Sequence, residues 1–134
     1  MDQSSSVKYS GIGLSFEAAV DTHKFHISSG EPETGPSPKK LMLTALAGCT
    51  AIDVVMILEK MRISFSEFAV EAGGNLSEHH PRIYNAVLIS YKIKVEEKDR
   101  KNVEKAVNLS LEKYCGVSAM FSKFCEIKTL IEYL

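Results

Sequence analysis

Residues 37–55 read SPKKLMLTALAGCTAIDVV, from Ser37 to Val55. Ser37 is a good helix N-cap, and Pro38 suits the first helical position, where a missing N–H costs nothing. Leu41, Leu43, Ala45, Leu46, Cys49, Ile52, Val54, Val55, Leu58 and Met61 then put apolar side chains on nearly every face. A helix apolar all round needs cover all round. It is also close to the length of a membrane span, about 20 residues. Asp53 near its middle, the Gly48-Cys49-Thr50 step and the lack of a second span argue instead for the core helix of a soluble fold.

On either side the pattern changes to period two. In residues 6–27, Val7 and Tyr9, Leu14 and Phe16, and Phe25 and Ile27 alternate with polar residues. Gly11, Gly13 and Asp21-Thr22 punctuate them, which predicts two or three antiparallel strands. SSGEPETGPSP is a loop by its glycines and prolines. EFAVEAGGNL and IYNAVLISYKIKV are strands either side of a turn at SEHHPR. EEKDRKNVEKAVNLSLEKYC is an amphipathic helix with Val103, Ala106, Val107, Leu109 and Leu111 facing inward. GVSAMFSKF adds a helical turn or two, and CEIKTLIEYL closes as a strand. Strands in blocks favour an α+β fold with antiparallel sheet over alternating βα units. The whole chain, 1–134, reads as a single domain. One small sheet covers one side of the central helix, so a homodimer is expected to cover the rest.

Composition excludes some partners. Seventeen acidic and sixteen basic side chains give a formal net charge of -1. Such a balance offers no footprint for nucleic acid and no charged tail. The N-terminal MDQSSSVKYS lacks the basic-then-apolar pattern of a secretory signal, so a cytoplasmic location is expected.

Three cysteines, Cys49, Cys115 and Cys125, are the candidate reactive groups. In a reducing compartment they are either small buried side chains or reactive thiols. No CxxC occurs and the four histidines do not pair with cysteines at zinc-like spacing, so no metal site and no cofactor is expected. Cys49 lies some three turns into the helix, beyond most of the dipole, and Asp53 follows one turn later on the same face. Asp53 disfavours a thiolate unless a cation sits between them. Cys115 ends one helical segment and opens another, where a thiol can gain thiolate character, with Lys113 close in sequence. Cys125 enters a strand and reads as structural. His23 and His26 flank a strand, and His79-His80-Pro81 forms a turn.

The segments TGPSPKKLMLTALAGCTAIDVVMIL, EHHPRIYNAVLISYKIK and EKYCGVSAM together resemble the OsmC/Ohr family of osmotically inducible and organic-hydroperoxide-resistance proteins, from about residue 7 to 134. The likeness is nearest to its OsmC-like branch. The resemblance implies an OsmC-like fold, with antiparallel sheets wrapped around a long central helix in an intertwined homodimer. It implies thiol peroxidase chemistry on an organic hydroperoxide in an apolar pocket at the dimer interface. In that reading Cys49 attacks the peroxide, Cys115 resolves the sulfenic acid as a disulfide, and a dithiol reductant resets the pair.

The chain departs from the family pattern at one point. Family peroxidases hold the first cysteine as thiolate with an arginine from the N-terminal strands, oriented by a glutamate near the start of the central helix. Here no arginine precedes Arg62, and Lys39 and Lys40 stand where the glutamate belongs. Lys39 or Lys40 is then the substitute activator, a point charge without arginine's planar fork. The alternative is a non-enzymatic dimer that binds a hydrophobic ligand or senses redox state.

Overall fold

The computed structural model describes all residues 1–134. The helix starts and stops where its signals stand. α1 runs Pro38–Lys60, and the Leu41 amide donates to the Ser37 carbonyl at 3.2 Å. At its end Ile63 N–H donates to Leu58 O at 3.0 Å, with Arg62 left-handed at φ 59°. That is a Schellman closure with arginine where glycine is usual.

Two compact units make up the chain, residues 1–42 and 43–134. The first holds β1 (Ser6–Tyr9), β2 (Ser15–Val20) and β3 (His23–Ser28), an antiparallel sheet in that order. Asp21, at φ 53°, turns β2 into β3, as its place in the sequence predicts. Hydroxyls pin the following loop. Ser28 Oγ donates to Gly35 O at 2.9 Å and accepts from the amides of Thr34 and Gly35 at 3.1 and 3.2 Å. Thr34 Oγ1 donates to Ser15 Oγ at 3.0 Å. Ser15 and Ser28 are buried, whereas Val7, Tyr9, Leu14 and Phe25 are exposed in the chain by itself.

The second unit holds β4 (Phe65–Leu76), β5 (Tyr84–Val95), α2 (Arg100–Leu109), α3 (Gly116–Phe121) and β6 (Glu126–Tyr133). β4 and β5 form the expected antiparallel hairpin. β6 differs from the expected all-antiparallel pattern, because it lies parallel to β5, from Ala86 beside Glu126 to Ile93 beside Tyr133. The crossover through α2 and α3 brings the chain back to start β6 from the same end as β5, which a parallel pair requires.

Period two decides the inner face of β5, where Val87, Ile89, Tyr91 and Ile93 are buried and Ala86, Leu88, Lys92 and Lys94 are exposed. Leu46, Val54 and Leu58 of α1, Val103, Ala106 and Val107 of α2, and Phe121 of α3 join them in one core. The expectation of a helix buried on every side is not met within one chain. Leu46, Thr50, Val54 and Leu58, at i, i+4 spacing, form the buried stripe. Met42, Ile52 and Met56 remain outside it, Ile52 at 63% exposure. One sheet can meet only one side of a cylinder. α1 has the length and hydropathy of a membrane span. Its buried stripe, packed into a protein core, makes it the central core helix.

Candidate functional site

Cys49, Thr50 and Asp53 occupy adjacent turns of α1, and their partners come from the far end of α2. α2 buries Val103, Ala106 and Val107, and the next position on that stripe is Ser110, also fully buried. There the helix widens. Ser110–Tyr114 is a π-turn, closed by Cys115 N–H donating to Ser110 O at 2.7 Å. Cys115 leaves helical geometry at ψ 101° and caps α3, its Sγ accepting from Ser118 N–H at 3.3 Å. Ser118 Oγ donates back to Cys115 O at 2.9 Å.

Cys49 Sγ, Cys115 Sγ and a carboxylate oxygen of Asp53 thereby lie within 4.8 Å of one another. All three cysteines are free thiols, with Cys115 buried and Cys49 and Cys125 half-buried. The two thiols paired by the sequence reading are brought together. Cys125 stands apart, half-buried against the core just ahead of β6. Lys39 and Lys40 lie in the first turn of α1, ten and nine residues ahead of Cys49, which is nearly three helical turns.

Burial is the main cause that pushes the Cys115 thiol above its ordinary range. Hydrogen bonds from Ser118 oppose the rise, and the neighbouring Cys49 adds to it. The expected gain of thiolate character at the start of a helix is therefore overturned, because desolvation outweighs the cap. No lysine or arginine is among the groups acting on Cys115. Asp53 brings a carboxylate to the two thiols. Two negative charges at this separation repel by about 3 kcal/mol at an effective dielectric of about 20.

A buried hydroxyl chain, not foreseen from the sequence, anchors Asp53. Ser110 Oγ donates to Asp53 Oδ2 at 2.9 Å. Ser110 Oγ and Thr50 Oγ1 are 2.8 Å apart, and Thr50 Oγ1 and Tyr91 OH are 2.8 Å apart. Each hydroxyl has one proton. Ser110 spends its proton on Asp53, so Thr50 donates to Ser110, and Tyr91 donates to Thr50. The order Tyr91, Thr50, Ser110, Asp53 is thus fixed by proton counting. Burial first, then the negative groups Cys115 and Asp53, push Tyr91 up to about 12 against the Thr50 hydrogen bond, so it remains a donor. A threonine and an aspartate beside Cys49 in an apolar helix were the available signal, together with a serine completing the inner stripe of α2.

Beside Asp53 a cleft of about 420 Å³ opens, walled by Met56, Ile57, Met61, Leu109 and Tyr114, with Lys60 also lining it. The walls are mostly apolar, and Asp53 links the cleft to the thiols.

A thiol on a long central helix, met by a second thiol from the cap of a short one, in an α+β chain, defines a class. Residues 30–129 match the family model OsmC, OsmC-like protein, and the chain belongs to that family. It is 32% identical to Protein YhfA of Escherichia coli K12 over 116 residues, 86% of this chain and 87% of that protein. The crystal structure of a hypothetical protein from Aquifex aeolicus VF5 superposes with TM-score 0.87 at 29% identity, covering 100% of this chain and 97% of that one. The organic hydroperoxide resistance protein OhrB of Bacillus subtilis has the same fold, with TM-score 0.68 at 15% identity over 98% of both chains.

Proposed function

We propose that the protein reduces organic hydroperoxides through Cys49 and Cys115. The observation that carries this reading is the meeting of the two thiols from separate helices, within 4.8 Å. Membership of the OsmC family supports it, as does the shared fold with a hydroperoxide-resistance protein.

The Cys49 thiolate attacks one peroxide oxygen. The S–O bond forms as the O–O bond breaks, and the departing alkoxide takes a proton to leave as alcohol. Cys49 is then a sulfenic acid. The Cys115 sulfur attacks the Cys49 sulfur, and the S–S bond forms as water leaves. That step must close a separation of up to 4.8 Å to about 2.05 Å. Cys115 caps a six-residue helix, so the shift would have to move Cys115 or the start of α3. A dithiol reductant resets the pair by exchange. Lys39 and Lys40, nearly three helical turns from Cys49 along α1, would have to reach the thiol from a second copy of the chain to take the place of the absent arginine. The working form is a homodimer that covers the exposed face of α1, and its location is cytoplasmic.

A second reading is a non-enzymatic dimer that binds an apolar ligand or senses redox state. The apolar cleft beside Asp53 favours it, as does the negative rather than positive charge at the thiols.

Intact-mass detection after cumene hydroperoxide separates the two. The peroxidase loses two thiols per chain as a Cys49–Cys115 disulfide that a dithiol reverses. Thiol loss no faster than for free cysteine sinks the peroxidase and leaves the binding dimer.

A further inference from the structure

We infer that Cys49, Asp53 and Cys115 form a binding site for a thiophilic divalent cation, zinc in the first instance, and that the bound ion holds the thiol pair in a state closed to oxidation.

The donor set is the first argument. Two sulfurs and a carboxylate oxygen converge within 4.8 Å of one another. Around a tetrahedral zinc, with Zn–S near 2.3 Å and Zn–O near 2.1 Å, ligand atoms stand roughly 3.6–3.8 Å apart. The cluster therefore needs a contraction of no more than about 1.2 Å. Cys49 and Asp53 sit at i and i+4 on one helix, which keeps two ligands on one face of α1. Cys115 arrives from the cap of α3. Spacing along the sequence could not reveal this trio, because its third member is 62 positions beyond Asp53 (115 less 53).

Charge is the second argument. Two thiolates and a carboxylate within 4.8 Å of one another would repel. A divalent ion among the three donors turns that repulsion into ligation. Thiolate ligands select zinc over magnesium or calcium, which prefer all-oxygen sets.

The outer contacts are the third. Asp53 Oδ2 accepts from Ser110, and Ser110 is itself held through Thr50 and Tyr91, all three of them fully buried. A carboxylate oriented by a fixed donor is the usual support for a metal ligand. Asp53 also lines the open cleft, which gives an ion its way in and leaves a fourth position for water or a further ligand. The inference does not rest on peroxidase activity. The same sulfurs serve both states, and ligation occupies the lone pairs that would attack a peroxide.

The test uses the reduced, chelator-treated full-length protein titrated with Co²⁺, then with Zn²⁺. Expected are a thiolate-to-cobalt charge-transfer band, the intense d–d bands of a tetrahedral ion, an endpoint of one ion per chain, and about two protons released per ion. Zn²⁺ should displace Co²⁺ and slow thiol loss to cumene hydroperoxide at least tenfold. Cys49→Ser and Cys115→Ser should each remove roughly half of the charge-transfer intensity and weaken binding. Ser110→Ala, which leaves all three ligands in place, should weaken it about 10–100-fold. Cys125→Ser should change nothing. No charge-transfer band, or a band and affinity unmoved by Cys49→Ser, overturns the inference. Rapid disulfide formation in a protein that binds no ion overturns the metal site alone. Ion binding without peroxide-driven thiol loss in the stripped protein overturns the peroxidase alone.

Discussion

Replacing Thr50 with valine keeps the shape of the side chain and removes its hydroxyl, so no cavity term enters. Thr50 is fully buried, between two equally buried partners, at 2.8 Å from each. By the proton order derived above, Thr50→Val strips Tyr91 OH of its acceptor and Ser110 Oγ of its donor. An orphaned buried donor costs about 1–3 kcal/mol, and the unused acceptor site on Ser110, which still donates to Asp53, adds about 1, which puts the loss at about 2–4 kcal/mol. Tyr91→Phe is milder on the same reasoning, at about 1 kcal/mol. Thr50 still donates to Ser110, and only an acceptor site goes unused. Urea unfolding at fixed protein concentration reads both. With a urea m-value of about 2 kcal/mol/M, Thr50→Val should lower the midpoint by about 1–2 M without changing the slope. Adding Tyr91→Phe to Thr50→Val removes the stranded donor, so the double variant should lose less than the sum of the singles. A Thr50→Val loss below about 0.5 kcal/mol, or a Tyr91→Phe loss exceeding it, refutes the directed chain.

Further expectations concern the two units, the interface and pH. Gly35→Ala would drive a Cβ into the His26 carbonyl, so the loop pinned by Ser28 should open at a cost of about 2 kcal/mol or more. Limited proteolysis within residues 29–37 reads this, and an unchanged cleavage rate would count against it. Ile52→Glu puts a charge on the exposed face of α1 and should convert a dimer into 14.8 kDa monomers by light scattering, with the far-ultraviolet spectrum retained. A dimer that survives it places the interface elsewhere. Burial raises the Cys115 and Cys125 thiols above their ordinary value of 9.0. The folded chain thus holds these protons when the unfolded chain releases them. Stability should be level below about pH 8 and fall as pH climbs through 9 and beyond. Calorimetric midpoints that rise with pH across this window would contradict the assignment.

The sequence carried most of the architecture, because local rules govern those parts. Ser37-Pro38 fixed the start of α1, and alternation fixed the buried face of β5 at Val87, Ile89, Tyr91 and Ile93. The family motifs around Cys49 and Cys115 were legible as well, and the two sulfurs they carry lie close together. What escaped is what tertiary assembly decides. The parallel pairing of β6 depends on where the crossover returns the chain, which no window of residues states. Whether Cys115 gains or loses thiolate character depends on desolvation against a helix cap, and burial is not a local property. Thr50, Ser110 and Tyr91 each look like an ordinary polar residue in an apolar element. Only their convergence, across 60 positions between Thr50 and Ser110, makes them a chain.

The π-turn at Ser110–Tyr114 bears on which changes of length this protein can absorb. It carries one residue more than an α-turn, and that extra residue lets Ser110 bond the Cys115 amide through its carbonyl and Asp53 through its side chain. Deleting any one of Leu111 to Tyr114 would let the backbone relax to regular i→i+4 bonding, an easier helix than the one it replaces. The chain beyond would then rotate by about 100° about the axis, one residue's share of a turn. Cys115 would swing off the Cys49 side. Substitutions that keep the count at 110–115 are tolerated so far as packing allows, whereas a shortened segment folds into better helix and a dismantled thiol pair. Spacing, more than the identity of the four intervening residues, is the inheritance this segment transmits.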